Sequence, residues 1–458
     1  MTDRAPAAHT LHFRHALLPG GWEENVRIGI AGGLVTTIVQ GAEALPGDER
    51  YAIALPGMPN LHSHAFQRGM AGLAEVRGPG DDSFWTWREL MYRFVDAIDP
   101  DSLRAIAALA YAEMLESGFT RVGEFHYLHH DPAGTVYSDP AAMSRAIVAA
   151  ADETGIALTH LPVFYAHGGF GGAEASTAQR RFLHDIDGFA GLLDAARTAA
   201  ADLPDAVVGI APHSLRAVTG AELAALLDLA GAAPVHIHIA EQVKEVEDCL
   251  AWSGLRPVEW LLAHAKVDAR WCLVHATHMT AGESAALAAS GAVAGLCPVT
   301  EANLGDGIFP MLAWREASGR FGVGSDSNVL IDMTEELRWL EYGQRLADRA
   351  RNRLAAAPGR STGQDLFDAA LAGGAQALGV EAGLAVGRAA DIVSLDESHA
   401  SLFGRSGPWL TDSLLFAAGR GAIDRVWRRG VEVVRGGRHV ARDAIETDYR
   451  RALGRLFA

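Results

Sequence analysis

Cysteine is scarce in this sequence, and long apolar runs are missing. The 458 residues include three cysteines, scattered along the chain with no CxxC spacing. This pattern excludes a disulfide scaffold and favours a reducing compartment. No uncharged apolar stretch reaches the roughly 18 residues that a membrane span requires, and the amino-terminal residues lack the apolar core of a signal peptide. We therefore expect a soluble, cytoplasmic protein.

Positive charge is scarce as well. The chain has 39 lysine and arginine residues against 56 aspartate and glutamate residues, which gives a formal net charge of -17 at pH 7. Such a field repels phosphate backbones and anionic lipids, so we expect neither nucleic acid nor a membrane as a partner. Because Lys244 and Lys266 are the only lysines, nearly every positive charge is a guanidinium. Apolar residues, at 49%, are abundant enough for a large core.

The middle of the chain alternates short β-rich runs with Ala/Leu-rich amphipathic helices. About eight such units predict parallel strands with helical crossovers. We therefore expect an α/β fold, with a (β/α)8 barrel over residues 56–384. A doubly wound open sheet is the alternative, which the absence of GxGxxG after the first strand disfavours.

Both ends of the chain have a different pattern. Residues 9–55 alternate apolar and polar positions between glycine-rich turns, and the same texture returns at 389–396 and 424–440. Alternation with a period of two predicts strands. We expect a small β-sandwich domain built from residues 1–55 and 385–458, the second piece ending in a helix.

Histidines and one aspartate fall at the ends of four predicted barrel strands. In this fold, catalytic groups lie at the carboxyl ends of the strands. His62 and His64 close the first run two residues apart, so both side chains leave the same face of an extended chain. His238 closes the fifth run, His275 the sixth and Asp326 the eighth. Imidazoles and carboxylates bind divalent cations, so the pattern predicts a metal site at the barrel mouth.

This set of residues resembles the amidohydrolase superfamily, whose members carry HxH after strand one, histidines after strands five and six, and aspartate after strand eight. The resemblance covers nearly the whole chain, including GRAADIVSLD near the carboxyl end. It implies that His275 lies beside the ion. The implied metal ligands are His62, His64, His238 and Asp326.

The number of metal ions follows from the run VVGIAPHSLRAV at strand four. Superfamily members with two metals bridge them through a modified lysine there, and this run has no lysine. One divalent ion is therefore expected. Nitrogen and oxygen ligands with an open water position favour Zn²⁺.

Glu241 follows His238 by three residues. In isolation, such a glutamate could cap the next helix or face solvent. A carboxylate beside an activated water can instead carry protons between nucleophile and leaving group. The HxAE spacing is shared by mononuclear deaminases of the superfamily. By this resemblance, the catalytic residues are Glu241, His275 and Asp326.

Four local strings resemble one branch of the superfamily, which acts on N-formimino-L-glutamate in histidine degradation. They are HSHAFQRGMAG, SFWTWRELMYR, GEFHYLHH and PHSLRAV. The resemblance implies a hydrolase of carbon–nitrogen bonds in linear amidines, with N-formyl-L-glutamate and ammonia as products. Asp326 would take the proton of the attacking water, Glu241 would protonate the leaving nitrogen, and His275 would orient the attacking oxygen.

Arginines in two of these strings suit a dicarboxylate substrate. Arg88 and Arg216 follow strands one and four, and a guanidinium matches a carboxylate with two parallel hydrogen bonds. Each could instead form a surface ion pair. By the resemblance, the substrate-binding residues are Gln67, Arg88, Tyr127, His213 and Arg216.

Other conspicuous residues have simpler interpretations. Trp85 and Trp87 either wall the pocket or pack in the core. The glycine-rich run 167–172 lacks a Walker lysine and is interpreted as a mobile loop over the end of strand three. Four further histidines are expected to pack or to support the site, namely His126, His129, His130 and His236, the last one layer deeper in the barrel than His238.

Two other functions stay open at this point. One is a deaminase of an aromatic base or nucleoside, such as guanine, cytosine or an adenosine derivative, on the same metal core. The other is a catalytically inactive barrel that serves as an assembly partner, which the complete ligand set disfavours. A homodimer is expected from the habit of the superfamily.

Overall fold

The computed structural model describes residues 8–78, 80 and 82–457. Over this part of the chain, the strands form a parallel barrel in the middle of the sequence and a sheet built from both ends. The predicted α/β fold is confirmed, and the strands of the predicted β-sandwich domain, which come from both chain ends, form one eight-stranded sheet. The boundaries at residues 55 and 384 stay predictions, and residues 1–7 of the first predicted segment lie outside the described residues.

Strands and helices are numbered in chain order over the described residues. The strands are β1 (His9–Leu18), β2 (Gly21–Ala31), β3 (Leu34–Val39), β4 (Glu49–Pro56), β5 (Met58–Ser63), β6 (Phe119–His126), β7 (Ala157–Phe164), β8 (Val207–Val208), β9 (Ala211–Pro212), β10 (Val235–Ile239), β11 (Trp271–His275), β12 (Val293–Leu296), β13 (Arg320–Val323), β14 (Ile392–Leu395), β15 (Ile423–Arg428), β16 (Val431–Arg435) and β17 (Arg438–His439). The α-helices are α1 (Phe84–Val95), α2 (Pro100–Glu116), α3 (Ala142–Thr154), α4 (Ile186–Ala200), α5 (Gly220–Ala230), α6 (Val243–Ser253), α7 (Pro257–His264), α8 (Ala281–Ser290), α9 (Pro298–Leu304), α10 (Met311–Glu316), α11 (Met333–Asp348), α12 (Thr362–Ala377), α13 (Pro408–Ser413) and α14 (Arg442–Leu456).

The barrel strands β5 to β13 form a closed ring, with the fourth strand position split between β8 and β9. Neighbouring strands from β5 to β8 and from β10 to β13 pair in parallel. Parallel bridges join Ile210 to Val235 and Ser63 to Asp326. These bridges close the gaps between the two runs of strands, which excludes the open doubly wound sheet.

Helix α2 shows how local sequence fixes a crossover. The side chain of Asp99 accepts a hydrogen bond from the amide of Ser102 at 2.7 Å, and Pro100 occupies the first turn. Both features favour a helix start. The Ala/Leu-rich body is buried almost throughout because it packs between α3 and α14. Among the described residues, no helix is long and apolar enough to cross a membrane.

The two ends of the chain meet in one continuous sheet of eight strands, in the order β17-β16-β15-β14-β4-β1-β2-β3. The junction is the antiparallel pair β14 and β4, in which Val393 lies opposite Leu55. The core of this unit includes Phe13 and Trp427, whose rings meet edge to face at 6.2 Å. Arg428 ties the sheet to the barrel through an ion pair of 3.2 Å with Asp205.

The four histidines expected to pack are all buried. His129 donates to the carbonyl of Val163 at 2.9 Å, and His130 donates to that of Leu183 at 2.7 Å. His126 lies beside His129, with 5.4 Å between ring centroids. His236 donates to the carbonyl of Ala377 at 2.8 Å. None of the four lines the pocket described below.

The glycine-rich run 167–172 is fastened at two points. Phe170 stacks on Trp252 of α6, with ring centroids 5.6 Å apart, and His167 lies 2.9 Å from the carboxylate of Glu222 at the start of α5. These contacts hold the run beside α5 and α6. Its mobility and its place over the third strand stay predictions.

Gly373 allows α12 to lie directly on the barrel. A Cβ at this position would stand 1.8 Å from the carbonyl oxygen of Phe321 in β13. We expect Gly373→Ala to lower the free energy of unfolding by about 3 kcal/mol or more, because the clash is with backbone. The control is Gly191→Ala in α4, where nothing lies within 4 Å and alanine should stabilise the helix by up to about 1 kcal/mol. Chemical denaturation measures both, and equal midpoints for the two variants would contradict the packing assigned here.

Candidate active site

The four residues implied as metal ligands come together at the carboxyl ends of the barrel strands. The Nε2 atom of His62 lies 3.2 Å from Nε2 of His64 and 3.0 Å from Nε2 of His238. Oδ1 of Asp326 lies 3.3 Å from Nε2 of His64 and 3.5 Å from Nε2 of His62. One ligand atom from each of the four residues lies within 4.8 Å of the others, and all four residues are buried.

Backbone carbonyls determine which nitrogen is protonated in two of these rings. Nδ1 of His64 faces the carbonyl of Phe125 at 2.8 Å, and Nδ1 of His238 faces that of His213 at 3.1 Å. A carbonyl only accepts hydrogen bonds, so Nδ1 carries the proton and Nε2 keeps its lone pair. Burial lowers the pKa of both rings, which keeps them neutral. Converging lone pairs beside a carboxylate repel one another, and a divalent cation between them removes the repulsion. The donor set therefore fits a metal ion.

Hydrogen bonds between the first and eighth strands hold the ligands in register. The amide of His64 donates to the carbonyl of Asp326, and the amide of Asp326 donates to the carbonyl of His62, both at 2.9 Å. Asn328 donates its side-chain amide to the carbonyls of His64 and Asp326, both at 3.1 Å. The sequence did not predict a role for Asn328, because a loop asparagine belongs to no periodic pattern of a strand or helix.

Backbone strain marks the same strand ends. His275 has φ of 66°, Asp326 has 44° and Asn328 has 55°. Residues other than glycine adopt such positive φ values at a cost of about 1–3 kcal/mol each, and residues strained in this way concentrate at functional sites. The hydrogen bonds between the strand ends stabilise these conformations.

Glu241 and His275 face each other beside the metal-binding cluster. Nε2 of His275 lies 3.8 Å from Oε1 of Glu241 and 3.7 Å from Oδ2 of Asp326. Burial raises the pKa of Glu241 to about 7, although nearby His275 and Arg216 oppose the shift. Burial also disfavours charge on His275, but Glu241, Glu301 and Asp326 outweigh it and raise the pKa of the imidazole to about 10. A carboxyl group with a pKa near neutrality is suited to donate and accept protons.

Glu301 is a site residue that sequence reasoning missed. Its Oε1 lies 3.2 Å from Nδ1 of His275 and accepts the amide of Cys297 at 2.9 Å. The carboxylate thereby fixes the orientation of the imidazole. Glu301 lies in the first turn of α9, where a glutamate is also common as a helix-start residue, so its position gave no distinct signal.

A pocket opens over these groups, and all five predicted substrate-binding residues line it. Helix α1 presents one face to it at helical spacing, through Phe84, Trp87, Arg88, Met91 and Tyr92. Trp87 is therefore a wall residue, whereas Trp85 is not among the lining residues. Neither Tyr92 nor Tyr165, a further lining residue, was a predicted site residue.

The carboxyl end of α1 is held by a buried arginine. Arg181 donates to the carbonyls of Ile98 at 2.7 Å and His130 at 2.9 Å, and also to that of Val95. These bonds connect the helix to the segment that follows β6. The face of α1 that carries Arg88 is thereby fixed relative to the barrel.

The two arginines of the pocket form no ion pair with any of the described residues. Over the described residues, no carboxylate lies within 4.0 Å of the guanidinium of Arg88 or Arg216. Arg216 is buried, its Nη1 has no hydrogen-bond partner, and its Nε lies 3.4 Å from Oγ of Ser214. Surface ion pairs, the simpler interpretation of these arginines, are therefore absent. A guanidinium without an ion pair is suited to bind an anion.

Gln67 and Tyr127 form a second polar group in the wall. Nε2 of Gln67 donates to the hydroxyl of Tyr127 at 2.9 Å, and Oε1 of Gln67 is buried without a partner. His213 lines the same pocket, and its Nδ1 lies 3.2 Å from Oγ of Ser214. The structure thus brings every predicted site residue to one cavity, and the individual roles stay predictions.

Comparison with known proteins identifies the family. Residues 53–433 match the sequence profile described as "Amidohydrolase family". The chain belongs to the amidohydrolase family. Residues 8–52 match the profile described as "Formimidoylglutamate deiminase HutF, N-terminal domain". The chain is 53% identical over 448 residues to the formimidoylglutamate deiminase of Pseudomonas aeruginosa, an alignment that covers 96% of this chain and 98% of the relative.

Solved structures agree with this assignment to the amidohydrolase family. The amidohydrolase from Brucella melitensis is 57% identical, with a TM-score of 0.96 over 98% of this chain and 100% of that one. A zinc-bound adenosine deaminase from Xanthomonas campestris is 23% identical, with a TM-score of 0.80 over 99% of this chain and 100% of that one. The second likeness shows the shared fold alone.

The ligand set can be tested with two histidines of β10. We expect His238→Gln to weaken binding of a divalent metal at least about 10-fold, since even residues that only support a ligand contribute that much. His236→Gln is the matched control, because His236 lies on the same strand and its side chain bonds to the carbonyl of Ala377, away from the metal-binding cluster. Metal content after dialysis against a buffered metal solution is the readout. Equal metal content in the two variants would remove His238 from the site.

Proposed function

We propose that the chain hydrolyses N-formimino-L-glutamate to N-formyl-L-glutamate and ammonia, as a step of histidine degradation. The observation that carries the proposal is one pocket that joins a metal-binding cluster to two guanidiniums, neither of which has an ion pair among the described residues. The 53% identity to a formimidoylglutamate deiminase over nearly the full length supports the same activity.

The charge distribution of the pocket suits this substrate. Amidines are strong bases, so the formimino end carries positive charge at neutral pH, whereas the glutamate end carries two carboxylates. Glu241 and Asp326 line the pocket near the metal cluster, and Arg88 and Arg216 line the same pocket. A zwitterionic substrate therefore has a favourable partner at each end.

We propose one Zn²⁺ as the cofactor, held by His62, His64, His238 and Asp326. The support is the set of nitrogen and oxygen donors and the fold shared with a zinc-bound relative. Bound there, the ion would supply hydroxide at neutral pH from a water whose pKa falls toward ~7.

The chain's own residues would then move the protons. Asp326 accepts the proton of the attacking water, and His275, oriented by Glu301, holds the attacking oxygen in place. Glu241 donates a proton to the nitrogen of the formimino group. As the carbon–nitrogen bond breaks and ammonia leaves, the hydroxyl proton of the tetrahedral centre passes to the carboxylate of Glu241, and the former water oxygen becomes the formyl oxygen of the product.

The glutamate end is assigned to the remaining lining residues. Arg88 and Arg216 bind the two carboxylates, with Tyr127 and His213 as further hydrogen-bond partners. Gln67 holds the formimino end or the adjoining nitrogen. Binding energy from this remote part fixes the reactive carbon beside the nucleophile.

Deamination of an aromatic base or nucleoside is the less supported alternative. It would use the same metal cluster, and the adenosine deaminase from Xanthomonas campestris shares the fold at 23% identity. The unpaired guanidiniums argue against it, because a neutral base would leave both without an anion. An inactive assembly partner would need none of the pocket's chemistry.

An assay of ammonia release distinguishes these functions. N-formimino-L-glutamate is compared with N-formimino-aspartate, N-formimino-glycine and a panel of purines and pyrimidines. We expect turnover of the glutamate derivative to exceed that of every other compound, with N-formyl-L-glutamate as the product. Preferential release of ammonia from a base would establish the alternative, and no release from any compound by metal-loaded protein would favour the inactive barrel.

The proton path is tested by Glu241→Gln. Loss of the proton donor should reduce kcat by roughly 10²–10⁴-fold, the usual contribution of a positioned acid or base. Metal content should be unchanged, because Glu241 is outside the proposed ligand set. A variant with normal turnover would remove Glu241 from the proton path.

The carboxylate clamp is tested by Arg216→Ala. We expect KM for N-formimino-L-glutamate to rise by roughly 10- to 100-fold, the effect of losing hydrogen bonds to a charged group. Arg216→Lys keeps the charge but loses the planar guanidinium, so its KM should lie between those of the wild type and the alanine variant. Saturation of the alanine variant at wild-type concentrations would contradict the clamp.

Two further properties stay proposals. We propose that the chain acts in the cytoplasm and forms a homodimer. The three cysteines are buried and unpaired, which suits a reducing compartment. Sedimentation at several protein concentrations would measure the oligomeric state.

A further inference from the structure

The two guanidiniums of the pocket lie over the same aromatic ring. Cζ of Arg88 lies 4.6 Å from the ring centroid of Trp85, and Cζ of Arg216 lies 5.7 Å from it. The ring centroid of Phe84 lies 6.0 Å from Cζ of each arginine. The rings of Phe84 and Trp85 meet edge to face, with 5.1 Å between centroids. One indole is thus a shared contact of both cations.

Arg88 and Arg216 carry like charges beside one ring and therefore repel each other, while the carboxylates of Glu245 and Glu241 offset part of the charge on Arg216 from more than 4.0 Å away. Arg216 is buried, so solvent screens the repulsion poorly. The face of an indole attracts cations more strongly than other aromatic rings do. Trp85 therefore offsets part of the repulsion while no anion is bound.

The position of this ring is fixed by the start of α1. The amide of Trp85 donates to Oγ of Ser83 at 3.3 Å, and the amide of Ser83 donates to Oγ1 of Thr86 at 3.1 Å. These bonds form the cap of the helix. Trp85 is partly buried and lies one turn before Arg88, so the same helix carries both the ring and one of its cations.

We propose that Trp85 is a positioning residue that holds Arg88 and Arg216 ready for two carboxylates and thereby favours dicarboxylates over monocarboxylates. It acts through the arginines, since it is not among the residues that line the pocket. This role rests on the proposed function as far as the substrate is concerned. The preference for dicarboxylates can be measured without turnover.

The test compares Trp85→Leu with Trp85→Phe in the metal-loaded protein. Glutarate and butyrate serve as binding probes in calorimetry, because they differ by one carboxylate and lack the formimino group. We expect Trp85→Leu to weaken glutarate binding roughly tenfold, the scale of a desolvated cation–π contact, and to change butyrate binding less. Trp85→Phe keeps an aromatic face and should recover most of the affinity.

Kinetics supply a second readout. KM for N-formimino-L-glutamate should rise roughly tenfold in Trp85→Leu while kcat stays within about twofold, because the ring acts on ground-state binding. Trp409→Leu is the matched control, since Trp409 is exposed in α13 and should change neither value. If Trp85→Leu fails to fold, as judged by circular dichroism, Trp85→Met takes its place.

The outcomes separate this role from the proposed function. Trp85-dependent glutarate binding by a protein that does not release ammonia from N-formimino-L-glutamate would sink the proposed function and leave the role of Trp85 standing. Glutarate binding that is equal in wild type and Trp85→Leu, or no glutarate binding by wild type, would overturn the role of Trp85.

Discussion

Three imidazole nitrogens and one carboxylate converge in the barrel mouth, where water is largely excluded. His62, His64 and His238 bring their Nε2 atoms close together, and the backbone carbonyls behind His64 and His238 prevent those two rings from turning a proton inward. Uncompensated, such an arrangement is electrostatically costly because burial weakens the screening between like partial charges. A divalent cation satisfies all four groups at once, and the rest of the site is arranged around that requirement.

Barrel closure creates this convergence. The first and eighth strands are distant in sequence but adjacent in the ring, and the bridge between Ser63 and Asp326 places HxH beside the aspartate. Reciprocal backbone hydrogen bonds and the side chain of Asn328 then hold strained strand ends in place. The metal-binding geometry is thus a product of long-range pairing.

The sequence predicted the parts of the site that follow from periodicity and motif. Polar residues at the ends of apolar runs indicated His62, His64, His238, His275 and Asp326, because every strand of a parallel barrel ends at the same rim. Motif likeness added Arg88 and Arg216. Glu301, Asn328 and Arg181 were missed, since each acts through hydrogen bonds between segments far apart in sequence, and no local pattern records such contacts.

X-ray absorption at the zinc edge of the zinc-loaded protein measures this coordination directly. We expect a single metal surrounded by nitrogen and oxygen at about 2.0–2.1 Å, with the imidazole scattering of three histidines. A zinc–sulfur distance near 2.3 Å or a second metal at about 3.5–4 Å would contradict it.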